Sequence, residues 1–163
     1  MNKEELAAAL EQVRETLIAH VPHARRLGMQ VVNAAPGEAW LKVPYSTELI
    51  GNPDTGVIHG GVITSVLDNA SGMAVQFSLP ERMAIATLDL RIDYMKPATP
   101  NEDLIAHAHC YKVTKNIAFV RGTAYHQSPD DPIATSVGTF MLAANRSGPV
   151  GPLGDMPSLK EPS

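Results

Sequence analysis

The chain's 163 residues suit one domain with a sizeable core and leave little room for a second. Hydrophobic residues make up 44% and charged ones 18%, an ordinary globular balance that excludes a disordered chain. A net charge of −4 with no long basic run argues against a nucleic-acid surface and against a polybasic membrane anchor.

From Lys3 to about His20 the period is helical. Leu6, Leu10, Val13 and Leu17 recur at spacings of three and four, and Pro22 is expected to end that helix or stand just past it. The same stretch is charged throughout and lacks the apolar run of a signal peptide. No segment reaches the roughly 18 apolar residues that cross a bilayer, so a cytoplasmic location is expected. The single cysteine, Cys110, excludes an internal disulfide and fits a reducing compartment.

Residues Met29 to Ala35 and Ala39 to Pro44 read as two strands joined at Pro36-Gly37-Glu38. A loop follows from Tyr45 to Ile58, with Gly51-Asn52-Pro53-Asp54 as its turn. A central helix runs from Gly60 or Gly61 to about Phe77. Val62, Ile63, Val66, Leu67, Ala70, Met73, Ala74 and Phe77 give it an apolar stripe so wide that it must be buried on most sides.

Ala84 to Met95 has the cleanest strand period, with Leu88, Leu90, Ile92 and Tyr94 alternating against Thr87, Asp89, Arg91 and Asp93. Three further strands, Leu104 to Thr114, Ile117 to His126 and Ile133 to Ala143, make an antiparallel meander. The expected layout is an N-terminal helix over residues 1–22 packing on a domain over 23–146, then a loose Pro/Gly-rich tail over 147–163. An α+β arrangement follows, its antiparallel sheet curved around the long helix, because a helix apolar on most sides needs a curved partner.

The stretch carrying chemistry is Gly56-Val57-Ile58-His59-Gly60-Gly61 and the helix it opens, with Asp68 inside that helix. Backbone N–H groups at a glycine-built helix start carry partial positive charge. They can hold an oxygen that becomes anionic, or the two glycines can simply permit a sharp turn. Asp68 stands among apolar neighbours, either because its carboxylate is used or because it shares a narrow polar face with Thr64, Ser65 and Ser71. Eight residues separate Gly60 from Asp68, roughly 12 Å along the helix at about 1.5 Å per residue. One reacting carbon cannot touch both, so joint action requires two antiparallel helices related by a two-fold axis.

His-Gly-Gly at a helix start, an Asp nine residues after the His, and a later strand ending in Tyr94-Met95-Lys96-Pro97-Ala98 resemble the PaaI-type acyl-CoA thioesterases of the hot-dog-fold superfamily, over roughly Gln30 to Ala144. The resemblance implies hydrolysis of acyl-CoA thioesters by a homodimer or homotetramer. It needs no cofactor and no metal, since coenzyme A is part of the substrate. It further implies that the Gly60 amide polarises the thioester carbonyl, with Gly61 beside it in substrate binding and His59 orienting the segment. Asp68 of the neighbouring subunit would be nucleophile or general base. Asn52 would lie near the carbonyl or sulfur, although it stands seven residues before His59 where the family has six. Thr87 would hold the attacking water, although simple alternation puts it on the face opposite Leu88 and Leu90.

Two other functions remain open on this pattern. One is a non-catalytic acyl-CoA binding or sensing module, and the other is a hydratase or dehydratase, of which Asn52-Pro53 followed by His59 is only a faint echo. His107 and His109 share a strand face but read as surface or interface residues, and Cys110 as a small buried one. Arg91, Lys112, Lys115 and Arg121 are either coenzyme A phosphate contacts or solvated. Leu49, Met73, Phe77 and Met83 are either acyl-tunnel or core residues.

Overall fold

In the computed structural model, the described residues are 20–143. The helix expected over Lys3 to His20 and the tail over 147–163 therefore lie outside them, apart from His20 in a turn. The first element is a short helix, α1 (Pro22–Arg26). Pro22 is the first residue of this helix; whether it also follows an earlier helix falls on residues outside the described ones. Its missing N–H and fixed φ are tolerated in a first turn, so proline marks a start as readily as an end.

Strands β1 (Gln30–Ala35) and β2 (Glu38–Val43) form the expected hairpin, with Gly37 at φ +71 in the turn. The segment expected as plain loop holds a 3₁₀ turn over Thr47–Leu49 and a small hairpin of β3 (Ile50–Asn52) and β4 (Val57–Ile58). Next come the long helix α2 (Gly60–Ser78) and strands β5 (Ile85–Tyr94), β6 (Leu104–Val113), β7 (Ile117–Tyr125) and β8 (Ala134–Leu142).

The main sheet has six antiparallel strands in the order β1-β2-β6-β7-β8-β5. The meander β6-β7-β8 is as read from sequence, while β5 crosses to pair with β8 at the far edge. Helix α2 packs on β2, β6 and β7, with β5 and β8 on its flank. This is the sheet-around-helix architecture that the α+β pattern and the resemblance both imply.

The core is the space between α2 and the sheet. Val66, Leu67, Ala70, Ala74 and Val75 are fully buried there, opposite Leu41, Leu104, Ala106 and Val120. Ser71 is buried with them, so it does not share the polar face expected for Asp68. Gly122 lets the helix come close: a Cβ there would stand 2.5 Å from Ser136 Oγ and 3.1 Å from Leu67 Cδ2. Among the described residues, no helix is long and apolar enough to cross a membrane.

Candidate active site

The start of α2 is set by His59, which has extended backbone angles and caps the helix with its own ring. Gly61 N–H donates to His59 Nδ1 at 2.9 Å, and Val62 N–H donates to the His59 carbonyl at 2.9 Å. His59 N–H donates to Leu49 O at 2.9 Å, which ties the helix start to the β3–β4 hairpin. Gly60 N–H is thus the first-turn donor without an acceptor among the described residues. The Gly61 amide is taken up by the cap.

Asp68 lies one side of the helix away from the core and is half-buried. Its Oδ1 accepts from Thr87 Oγ1 at 2.9 Å. Strict alternation would not allow that contact. A β-bulge between Thr87 and Asp89 inserts one residue, so Thr87 falls on the helix side with Ile92 and Tyr94 rather than with Asp89 and Arg91.

Tyr94 contacts the candidate site in a way the strand pattern did not disclose. Its hydroxyl donates to Gly60 O at 3.0 Å and is 2.7 Å from Thr64 Oγ1, and its ring lies against Gly60. In sequence Tyr94 reads as one member of an alternating strand and as the start of the Tyr94-Met95-Lys96-Pro97-Ala98 strand end, with no role at the helix start. One strand, β5, therefore meets α2 at both candidate positions: Tyr94 at Gly60 and Thr87 at Asp68.

Asn52 is in the β3–β4 turn, where its Oδ1 accepts from Asp54 N–H at 3.0 Å. Its backbone carbonyl accepts from Thr55 and Gly56 N–H. Its neighbour Gly51 packs on His59, but Asn52 itself bonds to neither Gly60 nor Asp68. Gly60 lines a cleft of about 360 Å³ with Ile63, Tyr94 and Pro97. Asp68 lines a different one of about 250 Å³ with Gly72, Met73, Ile85, Thr87 and Phe140. His59 and Gly61 open on a third, of about 490 Å³, beside α1. Within one chain, the amide and the carboxylate face separate spaces.

The remaining candidates have ordinary partners. His107 stacks on Trp40 at 4.2 Å and lies 3.5 Å from Glu38; burial holds its pKa below the usual histidine value, against the pull of Glu38. His109 is exposed. No group of three or more His, Cys, Asp or Glu is placed to hold a metal among the described residues. Cys110 is buried, takes a hydrogen bond from Ser78 Oγ at 3.3 Å, and has its thiol pKa pushed up by burial. Arg91 pairs with Asp93 at 3.0 Å, and Arg121 lies over the Tyr111 ring at 4.6 Å, while Lys112 and Lys115 are exposed. Of the acyl-tunnel candidates, Met73 lines the Asp68 cleft and Leu49 the cleft beside α1. Phe77 is in the core, and Met83 packs against it.

The thioesterase superfamily model matches residues 55–133, the stretch from the β3–β4 turn to the residue before β8. The chain is 38% identical over 94 residues to a putative esterase of Halobacterium salinarum, covering 56% of this chain and 61% of that protein's length. It is 29% identical over 147 residues to the medium/long-chain acyl-CoA thioesterase YigI of Escherichia coli, covering 82% of this chain and 94% of that one. A crystal structure of a Pseudomonas aeruginosa protein superposes with a TM-score of 0.70 at 45% identity, over 82% of this chain and 98% of that one. A glycine-opened helix, a carboxylate two turns inside it and a wrapped antiparallel sheet agree with these likenesses: the chain belongs to the thioesterase superfamily and has its hot-dog fold.

Proposed function

We propose that the protein hydrolyses acyl-CoA thioesters to the free acid and coenzyme A. The name of the YigI relative supports this substrate class, and the site supports the reaction. Gly60 N–H donates to the thioester oxygen as it becomes anionic, at a helix end where the backbone dipoles favour negative charge. Asp68 of the partner subunit attacks the carbonyl or activates water. Thr87 fixes one carboxylate oxygen or the water beside it. His59 holds the turn through its cap on Gly61, while Gly61 and Asn52 flank the substrate. Coenzyme A arrives with the substrate, so the scheme calls for no cofactor.

The observation that carries this reading is the separation of the two groups. Gly60 and Asp68 stand on one helix, roughly 12 Å apart along its axis, and open on different clefts. A second, antiparallel α2 brings each amide beside the other copy's carboxylate and makes two equal sites. The edge position of β5, with Leu88 54% and Tyr94 52% exposed, supports pairing on that side.

Subunit mixing tests this. Asp68→Asn removes the carboxylate, and Gly60→Pro removes the amide donor at a first-turn position that tolerates proline. His59 already has the extended angles required before proline. Each variant alone should be inactive toward acyl-CoAs. Refolded together at equal amounts, they should regain roughly a quarter of wild-type turnover, since half the dimers are mixed and each has one intact site. No regain in verified mixed dimers would overturn the shared site. Undiminished hydrolysis by Asp68→Asn would overturn the chemistry.

A further inference from the structure

Three features of the Asp68 cleft point to a specificity role for Gly72. First, Asp68, Gly72 and Gln76 follow at four-residue intervals on α2 and line the same cleft of about 250 Å³. Its polar end is the Asp68–Thr87 pair, and its other walls include the apolar side chains of Val21, Met73, Ile85 and Phe140. The cleft reaches past Gly72 to Gln76, roughly 12 Å along the helix from Asp68. There the Gln76 amide donates to Met83 O at 2.8 Å.

Second, a glycine inside a helix weakens it relative to alanine. Gly72 is one full turn beyond Asp68 and six residues from the helix end, so it serves neither cap. Third, packing within the chain does not demand a glycine there. A Cβ at Gly72 would stand 3.7 Å from both Ile85 Cδ1 and Phe140 Cε1, ordinary contact. Gly122 differs, because a Cβ there would be 2.5 Å from Ser136 Oγ. The missing side chain at Gly72 would point at β5 and β8, into the cleft.

We propose that Gly72 sets the length of acyl chain the enzyme accepts, by leaving the apolar cleft behind Asp68 open to the tail of the acyl group. The proposal rests on the thioesterase reading above. A thioester carbon held at Asp68 directs its hydrocarbon tail into the nearest apolar space, which excludes water around the tail and leaves the coenzyme A arm outside. A side chain at position 72 would shorten that space in proportion to its size.

The test is kcat/KM for butyryl-, octanoyl- and palmitoyl-CoA with wild type, Gly72→Ala, Gly72→Val, Gly72→Leu and Ile85→Ala, each checked for thermal stability and oligomeric state. The palmitoyl-to-butyryl ratio should fall stepwise with side-chain size, by about tenfold or more for Gly72→Leu, while butyryl-CoA turnover persists. Ile85→Ala, which enlarges the cleft from the opposite wall, should raise the same ratio. An unchanged ratio in folded variants, or an equal loss on all three substrates, would overturn the proposal. A change of oligomeric state already in Gly72→Ala, without a change in ratio, would make the glycine a helix-contact residue instead. Wild type inactive on all three substrates would remove the thioesterase reading, whereas an active wild type with an unmoved ratio removes only the role of Gly72.

Discussion

Along α2, Val62, Ile63, Val66, Leu67, Ala70 and Ala74 are buried against the sheet, while Thr64, Ser65, Asp68, Asn69 and Gly72 stay exposed or half-exposed. The buried side is branched and apolar, and its partners are all in the chain. The open side is short and polar, and much of its hydrogen bonding turns back on the helix. Thr64 Oγ1 donates to Gly60 O at 3.3 Å, Ser65 Oγ to Gly61 O at 2.9 Å, and Asn69 Nδ2 to Ser65 O at 2.8 Å. A surface of that kind is low and smooth, suited to the close approach of a second helix. The contrast separates two jobs on one element: the first side holds the fold together, and the second carries the proposed reaction.

Exchanging the readouts of the two sides is the strongest way to break that division. Asp68→Asn keeps the shape of the side chain and should lower turnover by about 10²–10⁴-fold, the usual worth of a positioned proton-transfer group. Its thermal unfolding should stay within about 1 kcal/mol of wild type, because the site is half-open. Leu67→Ala, one residue earlier, should lose about 2–5 kcal/mol of stability through the lost burial and the cavity beneath the helix. Its kcat per folded molecule should be near wild type. Thermal melts and steady-state kinetics on both variants decide the matter. Heavy destabilisation by Asp68→Asn would move that carboxylate from chemistry to structure.

Thr87 sharpens the contrast, because it links the open side to β5. Thr87→Val keeps the β-branched shape but removes the hydroxyl that donates to Asp68. A hydrogen bond to a charged group is worth about 1.5–3 kcal/mol, so kcat should fall about tenfold to a hundredfold. Thr87→Ser should recover most of the activity, since it restores the donor. Equal kinetics for the valine and serine variants would show that the hydroxyl does not act on the carboxylate.

How much of this was legible in the sequence depended on how each feature is encoded. The central helix was readable because its apolar residues repeat at every turn, and the meander because short polar turns such as Lys115-Asn116 punctuate it. The motif at His59 to Gly61, with Asp68 beyond it, stood out as candidate chemistry because glycines and a carboxylate are unusual there. The face of Thr87 was not readable. The bulge that turns it toward Asp68 occurs at Leu88, an ordinary strand residue, and an inserted backbone unit leaves no compositional mark. The β3–β4 hairpin was too short for a period of two to register. Pro22 carried a boundary signal, and the helix that starts there was not read because five residues are too few for a helical period to register. Gly72 had a signal that could have been used: an isolated glycine inside an otherwise apolar helix calls for a packing or functional reason.

Tyr94 gives the finest probe of the division, since it joins the helix start to the strand that also carries Thr87. Its hydroxyl bonds Gly60 O and lies beside Thr64 Oγ1, while its ring packs on Gly60. The effect is indirect: Tyr94 does not supply the oxyanion donor, but it fixes the first helical turn that presents the Gly60 amide. Tyr94→Phe keeps the ring and removes both bonds. Thr64 Oγ1 still reaches Gly60 O, so the first turn keeps one of its ties. One neutral hydrogen bond is worth about 0.5–1.5 kcal/mol, which corresponds to a loss of roughly twofold to tenfold in kcat. KM should hold, because the ring still walls the cleft. Tyr94→Leu removes that wall as well and should raise KM in addition. If the phenylalanine variant instead raises KM at constant kcat, the hydroxyl serves ground-state binding and the first turn does not need it.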